Sequence, residues 1–314
     1  MIKYCAKRVG MSACMMIFII IILFSLLQLM PGSPFNNERL TDAQRLIIEE
    51  KYGLNEPVLV QIVTYVKNMM TGDFGVSYAI QQDYPIADMI ATKYPLSVRI
   101  GLQAYVVGVS LGLIFGIIAA LNHNTWIDTG ATVFSMIGAS IPSHVLALGF
   151  AYFLAYKMGW FPLIYSSNQP FLSTILPSLA LSIGPMATTA RFARNEMVEV
   201  LNSEYMLLAQ TKGIRNLRII IVHGVKNTLV PLITTMAPIL MGLLTGSTVA
   251  EQIFGIPGIG SLFIKAIQTN DYNVVVSIAF LYSSIYVGLV LMIDILYGLI
   301  DPRIRLSGGG KNGK

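Results

Sequence analysis

Charged side chains are scarce in this sequence: Asp, Glu, Lys and Arg make up only 12% of its 314 residues. Soluble globular proteins carry about 25% charged residues. A soluble domain with so few charges would expose large apolar patches. Several apolar runs also reach the roughly 20 residues that a helix needs to cross a bilayer. The composition therefore argues against an ordinary soluble domain and predicts an all-α polytopic membrane protein.

Residues that carry chemistry are also few. The two cysteines, Cys5 and Cys14, indicate neither a disulfide framework nor a metal site. The three histidines, His123, His144 and His223, lie far apart in the sequence. No phosphate loop ending in Gly-Lys-Ser/Thr, no His-Glu-x-x-His, no Cys-x-x-Cys and no nucleophile elbow occurs. We expect no catalytic residue, no metal and no cofactor bound by this chain, so a membrane enzyme is not favoured.

Apolar runs predict six transmembrane helices, over about residues 9–30, 95–121, 129–156, 172–189, 229–250 and 274–300. A cleaved signal peptide is the alternative for the first run, but that run is too long for a signal core and no Ala-x-Ala site follows it. Basic residues cluster in segments 3–8, 191–226 and 303–314. Six spans place these segments together on the cytoplasmic side, with both termini inside. The net charge of +5 then reflects this bias rather than a nucleic-acid partner.

The segment 31–95 between the first two spans is polar and mixed in charge. Thr41 and Asp42 predict the cap of one helix, which runs to about Lys51, and Pro57–Met70 predicts a second helix. Gly72-Asp73-Phe74-Gly75 predicts a turn, after which 76–80 is expected to be extended. We interpret the segment as a small extracellular helical insertion.

Small and hydroxyl residues mark the later spans. Gly101, Gly108, Gly112 and Gly116 recur near one helix face and predict close approach of another helix. Pro142 predicts a kink or break in the third span. Candidate residues for a translocation pathway are Ser140, Ser143 and His144 around this proline, and Thr234, Thr245 and Thr248 in the fifth span. The alternatives remain open: a single histidine can be a bundle hydrogen-bonder, and hydroxyls can bond their own helix backbone.

The block from Asn202 to Pro231 interrupts the apolar sequence. A short amphipathic run, 204–210, precedes Gly213, which favours a helix end or a tight turn. Four basic residues follow or flank that glycine: Lys212, Arg215, Arg218 and Lys226. Such a block between two spans is typical of a segment that docks onto a soluble partner. An amphipathic loop held at the lipid headgroups is the alternative.

This block resembles the EAA motif of ATP-binding cassette (ABC) importer permeases of the oligopeptide and dipeptide type. The matching positions are Glu204, Tyr205, Ala209, Lys212 and Gly213, followed by Lys226, Asn227, Leu229 and Pro231. Gln210 and Thr211 depart from the pattern, which usually has small residues there. The segments 52–57, 72–75, 251–260, 271–275 and 301–305 also resemble this family, so the likeness covers nearly the whole chain.

The resemblance implies a type I ABC importer permease fold and a domain organisation. Residues 1–30 would form an N-terminal segment with the first span, 31–95 the extracellular insertion, and 302–314 a cytoplasmic tail. Residues 96–301 would form the core permease domain, including a coupling loop at 197–226. The coupling helix, with Glu204, Tyr205, Ala209, Lys212 and Gly213, would dock onto an ATPase subunit.

The loop 251–260 would face a binding protein or substrate in this family, with Glu251, Phe254, Gly255, Pro257, Gly258 and Gly260 as its marked residues. A phosphate-binding loop is the alternative reading of these glycines. It needs a Gly-Lys-Ser/Thr ending and a cytoplasmic location, and neither is present here.

The implied partners are a second homologous permease, two cytoplasmic ATPases that hold ATP and Mg, an extracellular binding protein, membrane lipid and a peptide substrate. Import of nickel or another small solute by the same architecture is the near alternative. A secondary transporter or channel is the distant one, and it would be expected to show inverted repeats or intramembrane charges.

Overall fold

The computed structural model describes residues 2–29, 56–212 and 218–300. Within them the regular secondary structure is helical, connected by turns and irregular segments, with one isolated bridge between Val76 and Pro85. In chain order the elements are α1 (Ile2–Leu29), α2 (Val58–Thr71), α3 (Ile86–Leu121), α4 (Trp126–Ser140), α5 (Ser143–Phe150), π1 (Ala151–Lys157), α6 (Leu172–Leu201), α7 (Glu204–Thr211), π2 (Ile219–Val225), α8 (Lys226–Leu244), α9 (Thr248–Ile253), α10 (Ile259–Gln268) and α11 (Tyr272–Ile300). The expected helix at 42–51, Gly213 and the tail at 302–314 lie outside the described residues.

Four of the described helices are long and apolar enough to cross a membrane: α1, α3, α6 and α11. Two bent helix pairs raise the number to six if each pair is one broken span. The upper figure agrees with the six spans expected from the sequence. The all-helical fold class is confirmed.

The chain divides into two compact units. Unit 1 combines segments 1–94 and 261–314. In it α1 packs on α11, and α2 packs on α1. Buried side chains of all three helices form its core: Ile20, Met69, Val276 and Phe280. The predicted second helix of the insertion is therefore part of a packed unit rather than a linker.

Unit 2 is residues 95–260, and its glycines set the distance between helices. A Cβ added at Gly108 of α3 would lie 2.7 Å from the backbone oxygen of Ser182 on α6. A Cβ added at Gly112 would lie 2.6 Å from the backbone oxygen of Met186 on the same helix. These backbones approach too closely for any side chain. The predicted close approach at the glycine face is confirmed.

Proline interrupts the third span as predicted. Ile141 is extended, with φ −83° and ψ 121°, because the ring of a proline disfavours helical geometry in the residue before it. The helices on either side, α4 and the α5–π1 pair, meet at an angle of 94°. The second broken pair bends by 53° around Thr234, between Pro231 and Pro238 of α8.

Several predicted boundaries differ from the observed ones. Helix α3 begins at Ile86 rather than near Pro95, which lies inside it. Helix α6 continues past Thr189 to Leu201, because Ala190, Ala193 and Met197 keep a buried face in register.

Two further expectations were wrong within the described residues. Glycines and a proline predict an irregular outer loop from Glu251 to Tyr272, but this segment contains α10, whose buried Ile259, Leu262 and Ala266 recur at helical spacing. Segment 76–80 forms no strand and makes only the single bridge at Val76.

Candidate functional site

Helix α7 is the predicted docking segment, and the structure gives it one anchored face and one free face. Met206 is fully buried, and Ala209 is nearly so. Both pack against Ile219 of π2, with Val200 and Leu201 of α6 beside them. A displacement of α7 would therefore press directly on the C-terminal end of α6 and on the start of π2.

The other face of α7 carries exposed apolar side chains. Tyr205 is 43% exposed, Leu207 63% and Leu208 56%, while Glu204 and Lys212 are also exposed. Of the predicted docking residues, Glu204, Tyr205 and Lys212 thus lie on the free face. Ala209 contributes to the anchor instead, and Gly213 lies outside the described residues. The sequence pattern did not single out Leu207 and Leu208, which are the most exposed apolar side chains on this face.

The junction behind α7 is closely packed. A Cβ at Gly224 of π2 would lie 2.7 Å from the Met197 methyl carbon of α6. The single hydroxyl of Thr228 of α8 lies between two acceptors, the Gly224 oxygen at 3.0 Å and the Met197 sulfur at 3.3 Å. The end of α6, π2 and the start of α8 therefore form one interlocked unit next to α7.

An ion pair fixes the same end of α6 to the start of α4. The Arg194 Nε and Nη2 atoms donate to the two carboxylate oxygens of Asp128, at 2.6 and 2.7 Å. Asp128 also accepts the Asn124 backbone N–H at 3.0 Å, and the His123 Nδ1 atom lies 3.1 Å from it. Such fork-to-fork geometry is strong and directional. Sequence reasoning did not pair these residues, because they are far apart along the chain.

The glycine-rich loop is organised around the buried carboxylate of Glu251. Ser97 of α3 donates its hydroxyl to Glu251 Oε1 at 2.7 Å and accepts the Ile259 N–H at 2.9 Å. A Cβ at Gly246 or Gly260 would lie 3.1 Å from a Glu251 carboxylate oxygen. Gly246, Gly258 and Gly260 therefore let the backbone close around Glu251, where any side chain would crowd the carboxylate.

Four of the six marked loop residues are buried within unit 2: Glu251, Phe254, Gly258 and Gly260. Gly255 and Pro257 are exposed. That this loop faces a binding protein stays a prediction. Its exposed residues in the structure are Gln252, Gly255 and Pro257.

The candidate pathway residues lie at the breaks of the helices. Ser140, Ser143 and His144 are exposed around the bend at Pro142. Thr245 and Thr248 flank the non-helical step between α8 and α9, and α9 packs against α5. Ser140 and Thr245 donate to backbone oxygens of their own helices, at 2.8 and 3.0 Å. Thr234 lies in α8.

In unit 1, Asp271 ties the polar segment after α2 to the start of α11. One of its oxygens, Oδ2, accepts the Ser77 hydroxyl at 2.5 Å and the N–H groups of Tyr78, Ala79 and Ile80 at 3.1, 2.9 and 3.1 Å. These bonds join the family-like segment 271–275 to residues 77–80, which directly follow the family-like segment 72–75.

Neighbouring side chains extend the hydrogen-bond network of Asp271. Asn273 donates to the Val76 oxygen at 2.9 Å, and Tyr65 of α2 donates to Asn273 Oδ1 at 3.4 Å. Burial raises the pKa of Tyr65 well above its ordinary value, so the phenol remains a neutral donor. Among the described residues no group of three His, Cys, Asp or Glu side chains is placed to hold a metal ion.

Comparisons with known proteins agree with this architecture. Residues 112–306 match the family described as binding-protein-dependent transport system inner membrane component. The dipeptide transport system permease protein DppB of Lactococcus lactis is 39% identical over 98% of this chain and all of that protein. DppB of Bacillus subtilis is 37% identical over 99% of this chain and all of that protein.

The oligopeptide transport system permease protein OppB of Salmonella typhimurium is 37% identical over 97% of this chain and all of that protein. A solved structure of the MetNI methionine ABC transporter, from a set of inward-facing conformations, aligns at 14% identity with a TM-score of 0.49, over 66% of this chain and 96% of that one. The chain belongs to the family of binding-protein-dependent transport system inner membrane components and is a multi-pass membrane protein.

Proposed function

We propose that this chain is the translocation-pathway subunit of an ATP-driven ABC importer of dipeptides or oligopeptides. Full-length relatives at 37% to 39% identity are named as permeases for these substrates. In this family ATP is hydrolysed by partner subunits. The chain's own task is then to provide a path across the membrane and to convert movement of the ATPases into a change of access.

The exposed apolar face of α7 carries this proposal. Tyr205, Leu207 and Leu208 stand out from a helix whose opposite face is buried. Exposed apolar side chains clustered on an anchored element mark an interaction site. Their occupant in the proposal is a cleft in a cytoplasmic ATPase, and the flanking Glu204 and Lys212 form a polar rim.

The anchored face supplies the mechanical link. Met206 and Ala209 press on Ile219, and Gly224 presses on Met197. When ATP closes the ATPases, a shift of α7 is passed to α6 and α8 through these contacts, because packed interiors transmit displacement rather than absorb it. Alternating access follows from the tilt of both helices.

The pathway itself is proposed to run along the broken helices. Backbone groups freed at a break must be satisfied by protein or by water in a cavity. The candidate lining residues are Ser140, Ser143 and His144 at the first break, Thr234 at the bend of the second broken pair, and Thr245 and Thr248 at the non-helical step between α8 and α9. They are small or hydrogen-bonding groups that suit peptides of varied side chains.

The finer assembly in the proposal consists of this chain, a second homologous permease, two ATPases with ATP and Mg, and an extracellular binding protein. Both termini would be cytoplasmic. The tip of the loop at Gly255 and Pro257, and the insertion at 31–95, would face the binding protein.

The docking helix is tested by Leu208→Asp in the tagged chain, with co-purification of the ATPases as the measurement. A charge in the apolar contact should abolish ATPase recovery while the amount of chain in the membrane stays the same. Leu59→Asp is the matched control, because Leu59 is also an exposed leucine, 77% exposed on α2. Normal ATPase recovery with Leu208→Asp would refute the docking assignment.

The substrate class is tested by reconstituting the purified complex in liposomes with its binding protein. ATP-dependent accumulation of a labelled dipeptide or longer peptide is expected. Accumulation of nickel but not of peptide would show that the substrate assignment is wrong while the ABC importer assignment holds. Peptide movement without ATP would show instead that the protein is a secondary transporter or a channel.

A further inference from the structure

A cavity of about 190 Å³ opens between α3, α4 and α6 in unit 2. Its apolar part is formed by small side chains and one aromatic ring, and its polar part by two arginines, an asparagine and two hydroxyl side chains. Its lining includes Phe115 of α3, Ala131 and Thr132 of α4, and Arg191, Arg194 and Asn195 of α6. A cavity needs only about 10–15 Å³ of such volume to hold one water, so this one can take a larger group.

The charge of the cavity comes mainly from Arg191. Arg194 is already paired with Asp128 through both arms of its fork, and its third nitrogen donates to Asn195 at 3.1 Å. Arg191 lies 5.9 Å from the centre of the Phe192 ring. Within the described residues it has no carboxylate partner, and no acidic side chain lines the cavity. An anion would therefore meet a positive group that no described carboxylate neutralises.

The cavity also lies at the depth where lipid head groups are found. Its α3 residues belong to the last two turns before the polar turn at 122–125. Trp126, at the start of α4, is 83% exposed, and tryptophan is enriched at the membrane–water interface. Next to the cavity, Phe115 and Phe134 pack edge to face at 6.2 Å, and both are exposed.

We propose that this cavity binds the phosphate head group of an anionic membrane phospholipid. Arg191 would hold the phosphate, with the Asn195 amide and the Thr132 hydroxyl within the same cavity. The acyl chains would leave over the exposed Phe115–Phe134 pair into the bilayer. Because Arg191 sits on the segment of α6 that leads into α7, the lipid would brace the helix that carries the docking segment.

The experiment is native mass spectrometry of the complete complex, released from nanodiscs that contain equal amounts of anionic phosphatidylglycerol and zwitterionic phosphatidylcholine. The intact complex should retain phosphatidylglycerol in preference to phosphatidylcholine. Arg191→Gln should lower that preference by roughly fivefold to tenfold, the usual effect of one basic residue or one charge-assisted hydrogen bond. The matched control is Lys157→Gln, since Lys157 is an exposed cation outside the cavity that lies over the Tyr152 ring.

A second variant separates shape from charge. Ala131→Leu keeps every charge and fills the cavity, and it should also remove the bound lipid. Equal retention of the two lipids by the wild type would overturn the proposal, and so would equal losses in Arg191→Gln and Lys157→Gln.

Two further arms identify the occupant. If millimolar inorganic phosphate displaces the lipid, the site is an anion site for free phosphate rather than a lipid site. If a cysteine placed at Ala131 cross-links to the second permease in the complex, a protein helix covers the cavity and the lipid proposal is wrong.

Discussion

The carboxylate of Asp271 should control the order of the polar segment that follows α2. Its Oδ2 atom accepts the Ser77 hydroxyl and the backbone N–H groups of Tyr78, Ala79 and Ile80. Its Oδ1 atom is buried without a hydrogen-bond partner among the described residues. The residue thus acts almost entirely through one oxygen, and Asp271→Asn changes that oxygen from a charged acceptor to a neutral one.

The magnitude follows from these bonds. A hydrogen bond to a charged group is worth about 1.5–3 kcal/mol, roughly twice a neutral one. Four donors share a single oxygen, so the losses do not add in full, and we expect a total on the order of 3 kcal/mol. The new amide nitrogen would also occupy the buried Oδ1 position, where no described residue offers it a hydrogen-bond acceptor. Since each 1.4 kcal/mol is a factor of ten, local opening should become roughly a hundredfold more frequent.

Hydrogen exchange of the Tyr78, Ala79 and Ile80 amides measures this opening directly, because partly buried segments exchange through local unfolding. Asp271→Asn should speed their exchange while the amides in the middle of α6 keep their protection. The control is Asp73→Asn, because Asp73 is exposed and accepts only the Gly75 N–H, at 2.9 Å, within its own turn. Unchanged exchange at all three amides in Asp271→Asn, or an equal change in Asp73→Asn, would refute the reasoning.

Three more perturbations test unit 2. Gly112→Ala should lower stability by about 1–3 kcal/mol through overpacking, which is measured as a lower midpoint of thermal aggregation. Gly130→Ala should leave the midpoint unchanged, because an added Cβ there meets nothing within 4 Å. Equal midpoints for the two variants would contradict the close-packing argument. Asp128→Ala should destabilise by about 2–4 kcal/mol, and the double variant with Arg194→Ala should recover part of this loss in the same assay; strict additivity would mean that the ion pair is not coupled. Glu251→Ala should speed exchange of the amides that follow it in α10 by roughly tenfold, and unchanged exchange there would show that the loop does not depend on its carboxylate.

Periodic and compositional features could be predicted from the sequence. The scarcity of charge and the long apolar runs were sufficient for a helical membrane protein, and the glycine spacing in α3 was sufficient for close helix packing. These signals are local: each depends on residues within one helix. The break at Pro142 was predictable for the same reason, since a proline affects only its own turn and the residue before it.

The boundaries were less predictable where tertiary packing decides them. Helix α6 continues beyond its apolar part because Ala193 and Met197 are buried, which hydropathy alone does not reveal. Helix α10 was missed because Gly258 and Gly260 were interpreted as loop residues. In the structure these glycines stand where a side chain would collide with the Glu251 carboxylate. Contacts between distant segments, such as Asp128 with Arg194, leave no periodic signal at all.

In the docking helix α7, the motif predicted the segment, but only the structure shows which of its side chains are buried and which are exposed. The resemblance selected Glu204–Gly213 as a block, but it could not tell which residues hold the helix and which are free. Ala209 and Met206 are anchors, so a small residue is needed at 209 for close packing against Ile219 rather than for contact with a partner. The exposed leucines then become the testable contact surface, although the motif does not mark them.

The position of the helix breaks gives a physical reason to place the pathway there. A regular helix satisfies its own backbone and can face lipid, whereas a broken one cannot. Ile141 and Pro142 leave the helical conformation, and Gly246 has a φ of +83° that only glycine adopts readily. Because α9 packs against α5, the ends of both interrupted segments lie on neighbouring elements of unit 2. Polar backbone in that region has to face protein or water, and a route for a peptide needs the same environment.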